Sequence, residues 1–81
     1  MERTLTAMKV GDRGIVTRLT HPGPIRRRLI DVGFSAGTVI SCLGKSPLGD
    51  PIAYAVKGTV IALRQEDAEQ IYIKEEATVW D

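Results

Sequence analysis

The stretch Pro22–Gly37 reads PGPIRRRLIDVGFSAG, and it decides how the rest of the chain is organised. It predicts one short helix, because Pro24 suits the first helical position, where no N–H is needed, and Gly33 suits the left-handed residue that ends a helix. Between them, apolar residues recur at i, i+4 and i+7 and form one narrow stripe: Ile25, Leu29 and Val32. A helix of about two turns is not stable alone in water. The sequence therefore predicts that this stripe is buried against a larger element.

The charges of this helix oppose its dipole. Arginines 26–28 crowd the positive end of the helix, and Asp31 sits near the negative end. Each such placement costs about 0.3–1 kcal/mol. Arg27 and Arg28 are spaced to pair with Asp31, which recovers only about 0.2–0.5 kcal/mol. Two interpretations remain open: some of these side chains bind groups outside the helix, or they form a solvated basic turn.

Length and composition predict a single domain, residues 1–81, that stays in the cytoplasm. The net charge is +1, from eleven Lys and Arg against ten Asp and Glu, whereas a general nucleic-acid binder has a clear basic excess. Cys42 is the only cysteine, so no internal disulfide is possible. Apolar runs are too short for a signal peptide or a membrane span. We therefore expect no nucleic-acid partner and no membrane insertion.

Alternating or β-branched segments bounded by turn residues predict five short strands: Arg13–Thr20, Thr38–Leu43, Ile52–Lys57, Thr59–Arg64 and Ile71–Ile73. The polar segment 65–70 is at most one helical turn. One short helix after the first long strand completes the pattern. These elements predict a mainly β fold, a small SH3-like barrel, whose closure would remove exposed strand edges.

Residues that could carry chemistry are few and scattered. Cys42 in the middle of a strand is typical of a small buried hydrophobe, and His21 in a turn is typical of a solvated side chain. One Cys and one His cannot supply the four ligands of a structural zinc site. The acidic run at 66–69 is typical of a solvated face. We therefore predict that the protein is not an enzyme and has no cofactor, and that any direct metal binding is weak.

Surface contact is the better hypothesis. Ile30 lies about 100° from Leu29 around the helix and close to Arg26, outside the predicted stripe. An alternative is that Ile30 is covered by the N-terminal segment or by the loop at Leu48. Leu48 is itself a candidate anchor at the tip of a Pro/Gly turn. The predicted partner-binding residues are Arg26, Arg27, Ile30 and Leu48. For Trp80, the sequence leaves open whether it caps the barrel or is free.

Several separate motifs, in order, closely resemble the FeoA family. They are Arg28–Phe34, the run Gly37-Thr-Val, the turn Pro47–Pro51 and, after Gly58, the strand end Ile61–Arg64 with Ala68 and Ile71 beyond it. The resemblance extends from Met8 to Ile73. Ala36 departs from it, since the family often has proline there, which should loosen a turn without altering the fold.

This resemblance implies an SH3-like barrel and a small cytoplasmic accessory or regulatory protein of ferrous iron uptake. It also implies a partner, the membrane ferrous iron transporter FeoB, contacted at its cytoplasmic GTPase domain or its membrane part. Ferrous iron would be the species that the system transports and not a cofactor of this chain. Two alternatives stay open: a nucleic-acid-binding SH3-like or OB-like module that uses the arginine triplet, and a GTPase-activating partner of the transporter.

Overall fold

A computed structural model describes residues 2–75 as six strands and two helices. In chain order these are β1 (Arg3–Thr4), β2 (Arg13–Leu19), α1 (Gly23–Val32), β3 (Val39–Lys45), β4 (Ile52–Val56), β5 (Thr59–Leu63), α2 (Gln65–Ala68) and β6 (Ile71–Glu75). A 3₁₀ turn, Leu5–Ala7, follows β1. Trp80 lies outside the described residues. None of the helices within residues 2–75 is long and apolar enough to cross a membrane.

The strands form one antiparallel sheet in the order β1-β6-β2-β3-β4-β5. The register shifts between Val16 and Arg18 on β2 and between Cys42 and Gly44 on β3. Such bulges bend strands and increase their twist, so the sheet can curl around one core. The mainly β, SH3-like prediction is confirmed. The predicted closure by strand pairing is not observed among residues 2–75, where β1 pairs only with β6, and β5 only with β4.

The core lies inside this curled sheet. On β4, Ile52, Tyr54 and Val56 point inward and are almost completely buried, as their alternation with small residues predicts. The Tyr54 hydroxyl donates a hydrogen bond of 3.4 Å to the carbonyl oxygen of Leu5, so the phenol keeps a partner inside the core. Cys42 is buried, as predicted. Strand β1 was not predicted, because two residues are too short to show an alternating pattern.

The end of α1 shows why Gly33 is required. Its φ is +128°, and its N–H donates 3.1 Å to the carbonyl oxygen of Ile30. A Cβ at this position would lie 2.6 Å from Cγ1 of Val56. Both the backbone conformation and the close approach to β4 therefore call for glycine. At the other end the helix begins at Gly23, so Pro24 occupies the second helical position and not the first.

Candidate partner-binding surface

The face of α1 that packs on the core differs from the predicted stripe. Leu29 is buried, but Ile25 is 44% exposed and Val32 43% exposed, so the prediction for these two residues was wrong. Ile30 is half-buried and packs against the core, and Gly33 approaches Val56. The buried direction therefore lies between Leu29 and Ile30, which are about 100° apart, and Ile25 and Val32 are turned outward.

A shallow groove of 680 Å³ runs along α1. Its lining includes Arg26, Arg27 and Ile30, three of the four predicted partner-binding residues, and also Gly23, Pro24 and Asp31. The fourth, Leu48, lies in the β3–β4 turn and does not line the groove, although it is 93% exposed. The structure thus brings the helical residues together and places Leu48 apart from them.

Among the described residues, the arginines of α1 have no ion-pair or hydrogen-bond partner for their side chains. Within residues 2–75 no ion pair joins Arg27 or Arg28 to Asp31, although their spacing would allow it. The first turn of α1 contains no acidic residue, and Pro22 supplies no side-chain cap. The positive end of the helix dipole and the guanidinium groups of Arg26 and Arg27 therefore lie at the same groove, which favours an anionic contact.

Arg18 on β2, in contrast, has partners for its guanidinium group within the fold. Its Nε donates 3.1 Å to a carboxylate oxygen of Glu2, and its guanidinium lies 4.0 Å above the ring of Tyr72. Thr17 Oγ1 donates to the same carboxylate at 2.6 Å. The hydrogen bond from Thr17 is the main reason that the pKa of Glu2 lies below its usual value. The hydrogen bond and the positive charge of Arg18 lower this pKa further. Arg18 therefore has partners within the fold, whereas the guanidinium groups of α1 have none among the described residues.

The outer side of α1 also carries apolar area that sequence reasoning missed. Ile25 and Val32 lie within about 20° of each other around the helix, and Arg28 projects beside them. The signal that could have revealed this was Ile30, because an apolar residue outside the predicted stripe implies that the buried face is rotated. An exposed apolar pair beside cations is typical of a protein contact surface, where arginine is enriched.

His21 is buried, so the prediction of a solvated side chain was wrong. Its Nε2–H donates 2.8 Å to the carbonyl oxygen of Asp67, which joins the β2–α1 linker to α2. Its Nδ1 has no hydrogen-bond partner among the described residues. Burial also raises the pKa of the Cys42 thiol. In the part of the chain that the structure describes, no three His, Cys, Asp or Glu side chains converge as a metal site.

Comparison with known proteins assigns the chain to a family. The family model of the FeoA domain matches residues 3–75. An Fe(2+) transport protein A/Fe(2+) transporter FeoB fusion protein of Porphyromonas gingivalis is 31% identical over 70 residues, which are 86% of this chain. The chain spans only 8% of the length of that fusion protein.

Two solved structures show the same fold. The solution structure of an FeoA protein from Chlorobium tepidum has a TM-score of 0.87 and 36% identity, covering 93% of this chain and 71% of that one. The zinc-complexed crystal structure of Stenotrophomonas maltophilia FeoA, described as a prokaryotic SH3 domain protein, has a TM-score of 0.78 and 26% identity and covers 89% of each chain. From the match over residues 3–75, we conclude that the chain belongs to the FeoA domain family.

Proposed function

We propose that this protein is an accessory or regulatory protein of ferrous iron uptake that acts by binding the membrane transporter FeoB. The observation that carries this proposal is the surface of α1, where Arg26 and Arg27 have no ion pair within residues 2–75 and lie beside the half-buried Ile30. The fusion protein of Porphyromonas gingivalis supports the choice of partner. Covalent linkage there keeps the two parts at a high effective concentration, which is useful only if they act together.

The chemistry of α1 indicates what the partner surface should carry. Arginines at the rim of an interface raise the rate of association with an acidic surface, and apolar side chains at its centre exclude water. The complementary surface on FeoB should therefore present carboxylates around an apolar centre. In this proposal the protein acts by contact at the cytoplasmic side of the membrane, without a cofactor and without catalysis of its own, and iron is the species that the transporter moves.

An NMR titration of the labelled protein with the cytoplasmic GTPase domain of its matching FeoB tests the proposal. We expect shift changes centred on Arg26, Arg27 and Ile30. The double variant Arg26→Glu/Arg27→Glu should weaken binding by at least about tenfold, the equivalent of about 1.4 kcal/mol. Its melting temperature should not fall, because both side chains are exposed and unpaired in the described structure and carboxylates suit the positive end of the helix dipole.

The matched control is Lys9→Glu/Lys45→Glu, which changes the net charge equally at two exposed positions away from the groove. This control should bind within about twofold of the original protein if the position of the charge matters and not only its amount. Equal binding by the folded Arg26→Glu/Arg27→Glu variant would exclude the α1 surface. Absence of any shift with the original protein would exclude the GTPase domain as the binding partner.

The exposed position of Arg27 also favours a second candidate, activation of the transporter's GTPase. An arginine supplied by a partner stabilises the charge of the transferring phosphoryl group and can raise turnover by about 10³–10⁵-fold. GTP hydrolysis by the same domain, measured with and without this protein, decides between assembly and activation. If turnover stays unchanged while binding is saturated, the activating role is ruled out and the binding role stands.

A further inference from the structure

Strand β5 leaves one side of its backbone open. The two-residue turn Lys57-Gly58 makes Val56 and Thr59 the hydrogen-bonded pair that closes the β4–β5 hairpin. Because hydrogen-bonded and non-bonded pairs alternate in antiparallel strands, Ile61 and Leu63 also bond to β4. The N–H and C=O groups of Val60 and Ala62 therefore point away from β4. Among the described residues, no strand lies beyond β5 to pair with them.

This edge lacks the devices that usually prevent strands from pairing between molecules. Its sequence, Thr59-Val-Ile-Ala-Leu63, contains no charged residue and no proline. The β4–β5 register runs without a bulge, in contrast to β2–β6 and β3–β4. Val60 is 64% exposed and lies beside Ala55 on the outer face of the sheet. A further strand could therefore continue the sheet and cover this apolar side chain.

We propose that β5 pairs antiparallel with β5 of a second copy of this chain, about a two-fold axis through Ile61. In that register Val60 faces Ala62 of the second copy, and the two residues exchange N–H···O=C hydrogen bonds on each side of the axis. The same surface serves both copies, as a two-fold interface requires. This self-association does not depend on the transporter.

The charges at the two ends of β5 select the second copy as the occupant. Lys57 precedes the strand, and two carboxylates lie at its other end, those of Glu66 and of Asp50, whose Oδ1 accepts 2.8 Å from the Gln65 N–H. The antiparallel register pairs Thr59 with Leu63 of the second copy, so the turn that carries Lys57 lies beside the far end of the other β5 and near these acids. Arg64 directly follows β5, so each end of the interface holds two cations and two carboxylates. A parallel arrangement would instead bring each Lys57 against its counterpart, which is repulsive.

Sedimentation velocity over a concentration series up to about 1 mM, a range that covers weak association, tests the pairing. We expect a reversible monomer–dimer equilibrium. Val60→Pro should raise the dissociation constant at least about tenfold. Its ring removes an outward N–H and leaves the bonds to β4 intact, a position where strands tolerate proline. The matched control Val60→Thr keeps the N–H and the β-branched shape and should dimerise within about twofold of the original protein.

Exchanging the charges at the ends of β5 tests the same dimer if Val60→Pro fails to fold. Lys57→Asp and Glu66→Lys should each weaken the dimer, and the double variant should restore it, because the swapped charges again face each other. Amide hydrogen exchange supplies a direct readout, since the N–H groups of Val60 and Ala62 should become protected as the concentration rises. A chain that stays monomeric throughout, or a dimer that Val60→Pro leaves unchanged, would overturn the proposal.

Discussion

Strands β4 and β5 are adjacent, each has five residues, and both consist largely of apolar side chains, yet they differ in burial. On β4 the three inward side chains are almost fully buried, and the two alanines between them are half-buried. On β5 only Leu63 is buried, Ile61 is half-buried, and Val60 is mostly exposed. The alternation is the same in both strands, with odd residues of β5 facing even residues of β4 across the ladder.

The difference follows from the number of neighbours. Strand β4 lies between β3 and β5, whereas β5 has only β4 beside it among the described residues. Alternation determines which side chains face inward, and the neighbouring strands determine how completely they are covered. Among the described residues, β4 therefore contributes mainly to the core, whereas the outer backbone edge of β5 is unpaired.

Truncation of β4 should have the largest effect. Tyr54→Ala removes the largest fully buried side chain and should cost about 3–5 kcal/mol of unfolding free energy, because the surrounding core cannot collapse into the space. Val60→Ala on β5 should cost less than about 1 kcal/mol, since that side chain is mostly exposed. Urea denaturation followed by circular dichroism measures both values.

Two milder substitutions on β4 allow the same comparison if Tyr54→Ala does not fold. Ile52→Val removes one buried methyl group from β4 and should cost about 0.5–1.5 kcal/mol. Tyr54→Phe keeps the ring and removes only the bond to Leu5, at about 0.5–1.5 kcal/mol. If Val60→Ala destabilised the monomer as much as Ile52→Val, the division between core strand and edge strand would be wrong.

The stability that strands β3 and β4 contribute should decrease at high pH. Cys42 and Tyr54 face each other in the register of these strands, and burial raises the pKa of both the thiol and the phenol. In the unfolded chain these groups ionise first, at about pH 8.5 and 10, so the unfolded state binds fewer protons there. Stability should therefore be complete below about pH 8 and decline above it, by at most about 1.4 kcal/mol per pH unit for each group.

Denaturation curves between neutral pH and pH 11, the range that spans both ionisations, measure this decline. Cys42→Ala should reduce the loss of stability that begins at about pH 8.5, and Tyr54→Phe should reduce the loss that begins at about pH 10. A decline that persists with its full slope in the Cys42→Ala/Tyr54→Phe variant would show that other groups cause it.

Much of this fold could be predicted from local patterns, because alternation and turn residues act within a few positions of the chain. The five longer strands and the end of α1 at Gly33 are examples. What failed depends on contacts between distant segments. Gly33 packs on Val56 and turns α1 so that Ile25 faces outward, and nothing in the period of the helix specifies that rotation. His21 is buried for the same reason, since its partner is Asp67, far along the chain.

The candidate site follows the same division. Arg26, Arg27 and Ile30 lie in one groove because they share a helix, a relation that spacing alone predicts. Leu48 belongs to a different loop, and only the tertiary arrangement determines where it lies relative to α1. The open edge of β5 was also missed, because the sequence suggested a closed barrel and closure depends on how far the sheet curls.

The smallest predicted effect concerns the turn that joins β4 to β5. Lys57 has a φ of +52° and Gly58 a φ of +78°, the pattern of a type I′ turn, and asparagine adopts the first of these conformations at lower cost than lysine. Lys57→Asn should therefore stabilise the monomer by about 0.5–1 kcal/mol. Lys57→Gln removes the same charge without this backbone preference and should give no gain in urea denaturation. Because the turn aligns β5 on β4, Lys57→Asn should also slow amide exchange at Ile61, which bonds to β4, more than at Val60, which does not. Equal slowing at both amides would mean that the outward side of β5 is already covered within one chain, and the contrast between the two strands would then disappear.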